Sequence, residues 1–297
     1  MRKVVVSSNC QTAGICAVLK ALFPADEIVP CPLPWPFASD DNAKQFALNL
    51  QNCDVWVTIA PAGVIDSVMA LVSDGKPSVV RVPAIGFAAF HPDLCYAQNL
   101  ATGELTAYHY NSAIAVWAYK HRLDIEDTAR LFNRANFRRL GYFDAWATSV
   151  AYLKQAFESY QLASDFDRFF LNVQRTGAFM HSINHPKIHV LVRLVKIISM
   201  RMGRDASVLE KSVDVDDALC GTVWPLYPEI AHELALGGGS YTWKLNPLLV
   251  FEGIRNYLEY SFKAYVTQEI APENLQMLHR EEALFDTVLK PQVGLPA

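Results

Sequence analysis

The sequence predicts an α/β fold in which an N-terminal parallel sheet with flanking helices is followed by a mostly helical C-terminal part packed on it. Three observations lead there. Short β-branched runs alternate with helical spacing over the first hundred residues, three- and four-residue apolar intervals dominate beyond residue 110, and no polar linker divides the two regions. Residues 1–110 and 111–297 are therefore read as an α/β region and a helical region of one integrated domain.

Residues 4–7 read as a short buried strand, and Ile15, Val18, Leu19 and Leu22 continue at helical intervals until Pro24 closes the helix. Residues 27–29 are a second strand. The stretch from Cys31 to Pro36 holds three prolines and excludes regular structure, predicting a stiff loop. A helix over 41–50 follows, capped by Ser39, Asp40 or Asp41. Residues 55–59 form a strand, 64–71 a helix and 79–82 another strand between Pro77 and Pro83. Strands and helices alternating at this length imply βαβ units and a parallel sheet covered on both faces. Beyond residue 110, helices are predicted over 112–119, 125–132, 145–157, 166–173, 188–202 and 248–265. Turn clusters fall at Gly141, at Asn184-His185-Pro186 and at Gly237–Gly239.

Composition narrows the functional classes. The chain has 297 residues, with 26 Lys and Arg against 30 Asp and Glu, a net charge of −4 that argues against wrapping nucleic acid. Its 52% hydrophobic content and 19% charged content argue for an extensively buried chain. No apolar run approaches the ~18 residues of a spanning helix, because Arg81, Pro83, Arg193 and Lys196 interrupt the best stretches, so no membrane span is expected. Arg2 and Lys3 precede only three valines before Ser7, too short an apolar stretch for export, and the expected compartment is the cytoplasm. The six cysteines, Cys10, Cys16, Cys31, Cys53, Cys95 and Cys220, form no CxxC pair. They predict neither a disulfide framework nor a structural zinc site.

Ligands of open parallel sheets bind beyond the carboxyl ends of the strands, so the residues after each strand are the first candidates. After the first strand comes Ser7-Ser8-Asn9-Cys10-Gln11 at the mouth of a helix. There the positive end of the helix favours a thiolate or a nearby anion, and backbone N–H groups can hold an oxyanion. Position matters, since an unperturbed Cys is only about 3% ionised at neutral pH. The alternative reading of Cys10 is a small buried residue. After the strand at 79–82, His91, Pro92 and Asp93 can present an oriented imidazole, and His181, His185 and His189 form a second cluster around Asn184-His185-Pro186. Each histidine also has a plain structural reading. Their i, i+4, i+8 spacing suggests metal binding only if the helix is continuous, and Pro186 interrupts it, so no metal is expected. Glu229 and His232 repeat the acid-x-x-His spacing of small esterases, a pattern any solvated helix also produces. The GxGxxG, GxxxxGK[ST] and GxSxG signatures are missing, which lowers dinucleotide, NTPase and α/β-hydrolase readings.

Taken in order, Ser8-Asn9-Cys10-Gln11, Phe90-His91-Pro92-Asp93-Leu94, Asn184-His185-Pro186 and the segment from Tyr227-Pro228-Glu229 to Leu236-Gly237 resemble the WcbI-like family of polysaccharide-biosynthesis acetyltransferases over most of the chain. Ser8 stands where that family commonly has Gly. The resemblance implies a role in bacterial capsule formation, binding of coenzyme A with acetyl-CoA as acyl donor, and a carbohydrate hydroxyl as acceptor. It also implies an SGNH-like layout, with the Asn-Cys-Gln turn where GDSL-type esterases carry their serine. Acetyl transfer needs a base and donors for the carbonyl oxygen. The expected base is His91, steered by Asp93, with His185 and Asn184 as further matching positions. Asn9, Gln11, Ser8 and backbone N–H groups are the expected oxyanion and substrate-binding groups. Cys10 is either an acyl-accepting nucleophile or a positioning residue. The competing enzyme class is an esterase or deacetylase using the same layout with water. A third class is a non-catalytic carbohydrate-binding component using the 6 Trp and 12 Tyr as stacking faces. A homo-oligomer is compatible with the sequence, which does not identify the acceptor sugar.

Overall fold

Val4, Val5 and Val6 are all fully buried, as consecutive strand residues can be only when both faces of a sheet are covered. They form the centre of β1 (Lys3–Ser7) in the computed structural model, which describes residues 1–31, 40–73, 75–107 and 110–295. The chain continues through α1 (Thr12–Leu22), β2 (Glu27–Pro30), α2 (Asp40–Asn49), β3 (Val55–Thr58), α3 (Ala62–Leu71) and β4 (Ser78–Arg81). These are the strands and helices expected from the first hundred residues. Residues 32–36 of the expected stiff loop and the candidate caps, Ser39 and the side chain of Asp40, lie outside the described residues.

Next come β5 (Leu94–Asn99), β6 (Asn111–Ser112), α4 (Ala113–Lys120), α5 (Ile125–Arg130), α6 (Arg134–Arg139), α7 (Ala145–Ser159), α8 (Ala163–Gln174) and α9 (Ile188–Arg201). The chain closes with α10 (Pro228–Glu233), β7 (Thr242–Asn246), β8 (Leu249–Glu252), α11 (Ile254–Thr267), β9 (Leu275–Leu278) and α12 (Glu282–Leu289). No helix among the described residues is long and apolar enough to cross a membrane. Two compact units interleave along the chain. One comprises Met1–Gly86, Tyr152–Phe179 and Asn184–Cys220, and the other Phe87–Ala151, Met180–Ile183 and Gly221–Ala297.

In the first unit the four strands are parallel in the order β2-β1-β3-β4. Val5 pairs in register with Val29 and Trp56, and Trp56 with Val79. Val5 and Trp56 bury one face of the sheet against Phe46 of α2, Leu50 just after it, and Val64 and Val68 of α3. On α1, Ile15, Val18 and Leu19 are buried at helical spacing, and the helix packs on β1, β2 and α9. α1 approaches α9 closely at Gly14. A Cβ built on Gly14 would lie 2.5 Å from Cδ1 of Leu191, a residue itself buried.

The second unit is richer in strands than its helical periodicity suggests. β5 is central to an antiparallel three-stranded sheet, β6-β5-β9, and β7 and β8 form a hairpin. The periodicity read as one helix over 248–265 therefore divides into β8 and α11. Gly253 makes the break at φ +84°, a conformation that side-chain-bearing residues rarely adopt. Trp243 stacks on Tyr257 with ring centroids 4.2 Å apart, and Trp224 meets both rings edge-on. These three rings are core packing.

Substituting Gly14→Val should destabilise the protein by about 1–3 kcal/mol through overpacking against Leu191. Urea denaturation measures the loss, and unchanged stability would mean that α1 and α9 have room to spare.

Candidate functional site

The strand order reverses between β2 and β3 on either side of β1, so the carboxyl ends of β1 and β3 mark the switch point where open α/β sheets form their crevice. The chain leaves β1 through Ser8, Asn9, Cys10 and Gln11 before α1 begins. Local hydrogen bonds shape this turn. The Ser8 N–H donates to Thr12 Oγ1 at 3.1 Å, and the Thr12 hydroxyl donates to the Asn9 carbonyl at 2.8 Å. The Gln11 N–H donates to Asn9 Oδ1 at 3.1 Å, an Asx turn, and the Ser8 hydroxyl reaches the same oxygen at 3.4 Å. Ser8 needs no positive φ, so the turn closes without the glycine common at that position in the family it resembles. With Oδ1 turned to the backbone, the Asn9 amide nitrogen has no hydrogen-bond partner among the described residues, and Asn9 is exposed.

Gln11 joins this turn to two distant segments. Its Nε2 donates to the Ile85 carbonyl at 2.8 Å and to the Asn184 carbonyl at 3.1 Å, while its Oε1 accepts from the Ile85 N–H at 3.1 Å. The residue is fully buried. Both amide hydrogens are committed to backbone carbonyls, which corrects the expectation that Gln11 donates to an oxyanion. Its role is to seat Asn184, and with it His185, beside the turn. The Cys10 thiol completes the arrangement, donating to the Asn184 carbonyl with Sγ 3.8 Å from the oxygen. Cys10 is exposed, which overturns the reading of a residue sealed in packing.

The electrostatics of the thiol differ from the sequence expectation. Desolvation by its surroundings raises the Cys10 pKa above the ordinary value, with a backbone hydrogen bond at Cys10 itself opposing. α9 starts at Ile188, beyond Pro186, and its Ile188 N–H donates to Asp217 Oδ2 at 3.0 Å. An internal carboxylate thus meets the first turn of this helix. Burial lowers the pKa of Lys187 at the same junction, and Asp217 partly restores it.

His91 and Asp93 belong to the second unit and are both buried. His91 Nε2 lies 3.0 Å from the Trp224 carbonyl. A carbonyl only accepts, so Nε2 carries the proton and Nδ1 is the basic nitrogen of the neutral ring. Asp93 accepts from Tyr142 Oη at 2.7 Å, from Tyr227 Oη at 2.8 Å and from the Ile114 N–H in the first turn of α4 at 3.1 Å. Two tyrosines and a helix N–H are its donors, not His91, so the expected steering of the imidazole by Asp93 gives way to anchoring of a helix. Burial foremost, and then the Asp93 charge, raise both tyrosines well above their ordinary pKa. The esterase-like spacing of Glu229 and His232 is likewise structural. Glu229 accepts from the Tyr241 hydroxyl at 2.7 Å, and His232 Nδ1 accepts from Arg134 at 3.2 Å.

The profile of the family described as "Polysaccharide biosynthesis enzyme WcbI" matches residues 3–207. A solved structure of WcbI, described as a novel polysaccharide biosynthesis enzyme in a native form without a disulfide bond between coenzyme A and one of its cysteines, superposes with a TM-score of 0.66. It is 15% identical, and the match covers 99% of this chain and 95% of that one. No curated protein sequence matches.

Because its pKa is raised, Cys10 should be alkylated more slowly at neutral pH than a cysteine in an unfolded peptide, with the rate rising only at higher pH. Peptide mapping after timed iodoacetamide labelling across pH measures this, and a midpoint below that of the peptide would contradict the desolvation argument. Asp93→Ala should destabilise the protein by about 3–5 kcal/mol, since it leaves two tyrosine hydroxyls and a helix N–H buried without their acceptor. A near-neutral effect in urea denaturation would show that these donors find other partners.

Proposed function

The chain belongs to the WcbI family of polysaccharide biosynthesis enzymes, and from that premise we propose that it moves an acetyl group from acetyl-coenzyme A to a hydroxyl of a bacterial polysaccharide or its precursor. The observation that carries this reading is the exposed Cys10 thiol at the β1–β3 switch point, hydrogen-bonded to Asn184 in a segment held there by Gln11. The association of coenzyme A with a cysteine in the description of the WcbI structure supports the choice of acyl carrier.

In the proposed reaction an imidazole takes the Cys10 proton and the thiolate attacks the thioester carbonyl. The bond from the carbonyl carbon to the carrier sulfur breaks, and coenzyme A leaves as a thiol with the proton the imidazole returns. The acceptor hydroxyl then attacks acetyl-Cys10, giving its proton to the imidazole, which passes it to the departing Cys10 sulfur. The raised pKa of the thiol makes such a base necessary near neutral pH. His185 is the proposed base because it directly follows Asn184, the residue bonded to Cys10. His91 is the second imidazole that the sequence nominates. The Asn9 amide nitrogen, which has no hydrogen-bond partner among the described residues, is the proposed oxyanion donor, worth roughly 3 kcal/mol in an acyl-transfer site.

Incubation with acetyl-CoA should give an acetylated Cys10 peptide by mass spectrometry, and Cys10→Ala should abolish both the adduct and transfer. His185→Asn should slow transfer by about 10²- to 10⁴-fold while coenzyme A binding persists. Loss in His91→Asn with His185→Asn unaffected would move the base to His91. Full activity in Cys10→Ala would remove the covalent route, and acetate release from a model ester without coenzyme A would turn the reading toward a hydrolase.

A further inference from the structure

The first unit contains a cavity of about 690 Å³ formed by α8, α9 and the segment after α9. Its volume falls within the range of small-molecule sites. Five cations line it, Arg168, Arg193, Lys196, Arg201 and Lys211, against one carboxylate, Asp165. That excess of positive charge occurs in a protein whose net charge is −4.

None of the five cations has a carboxylate partner among the described residues. Lys196 Nζ donates to the Leu209 carbonyl at 2.9 Å, Arg201 to the Gln161 carbonyl at 2.8 Å and Lys211 to the Leu22 carbonyl at 3.3 Å. Neutral carbonyls orient these side chains without cancelling their charge. Arg193 goes further, because its Nε is buried with no hydrogen-bond partner among the described residues. A buried guanidinium N–H left unmatched is costly unless a ligand supplies the acceptor. Phe169, Val192, Ile197 and Met200 give the same cavity an apolar lining. Cations beside an apolar surface suit a molecule with phosphates at one end and a flat, weakly polar body at the other.

We propose that this cavity binds a phosphorylated nucleotide, with Arg193 and Lys196 on its phosphates and the base against the apolar lining. Arg193 and Lys196 share one face of α9 at i, i+3 spacing. The same helix starts four residues after Asn184, the residue bonded to Cys10. The nucleotide end of coenzyme A is one source of this chemistry, and naming it rests on the acyl-transfer reading above. A nucleotide-activated sugar is another source, and the cavity itself does not depend on which is used.

Calorimetric titration of the full chain with adenosine 3′,5′-bisphosphate, uridine diphosphate and inorganic phosphate tests the proposal, alongside Arg193→Gln, Lys196→Gln and the double variant. At least one nucleotide should bind more tightly than inorganic phosphate, weaken with added salt and lose tenfold or more in the double variant, with the thermal midpoint retained. Preference for the adenosine bisphosphate would name the carrier as the source, and preference for uridine diphosphate an activated sugar. Nucleotides that bind no better than phosphate, or equally well to the double variant, would overturn the assignment. If intact coenzyme A binds the double variant unchanged, coenzyme A is excluded as the occupant of this cavity while acyl transfer stands.

Discussion

One buried side-chain amide holds the candidate site together. Gln11 is fully enclosed and makes three hydrogen bonds, two to the backbone of Ile85 and one to the carbonyl of Asn184. The geometry admits few substitutes. Glutamate has the same length but only acceptors when ionised, and it would face two carbonyl oxygens with no hydrogen to offer. Asparagine is one methylene shorter. Cys10 precedes Gln11 and His185 follows Asn184, so the relation between thiol and imidazole inherits its definition from this amide.

Elsewhere the protein uses charge for construction. Asp93 gathers two tyrosines and the first turn of α4, and Asp217 closes the first turn of α9 from outside that helix. Each carboxylate is placed where a helix presents N–H groups without intrahelical acceptors, and the favourable field of the helix end offsets part of its desolvation. The basic cavity is the opposite case, with four cations on two helices and a fifth in the segment after them, none paired with a carboxylate among the described residues. Electrostatics that close on themselves are structural, and those left open point to something outside the chain.

The legibility of the sequence follows the same division. β1–β4 and their helices are readable because strands buried on both faces are continuous apolar runs and the intervening helices keep a strong 3.6-residue period. The antiparallel strands of the second unit are less visible, since β5 mixes buried with half-buried positions and β8 alternates half-buried with exposed ones in a short run. The Asn9-Cys10-Gln11 turn stands out by its residue types and its place after a strand. The work of Gln11 does not, because its partners are backbone groups that any residue carries. The donors to Asp93 lie 21, 49 and 134 residues away, a distance over which a local motif such as His91-Pro92-Asp93 carries no information. The cations of the cavity have regular helical spacing on α9, which a solvated helix face shares. Only the tertiary arrangement distinguishes the two.

The first unit is assembled from three separate stretches of chain, and its final stretch runs to Cys220. During synthesis the β1–β4 layer leaves the ribosome long before α9, the helix that packs against α1. Until then Ile15, Val18 and Leu19 lack part of their final cover, and the thiol waits for a partner 174 positions downstream. Maturation of this region is therefore tied to synthesis of the chain through α9, and the nascent apolar surface is a natural client for a chaperone in that interval.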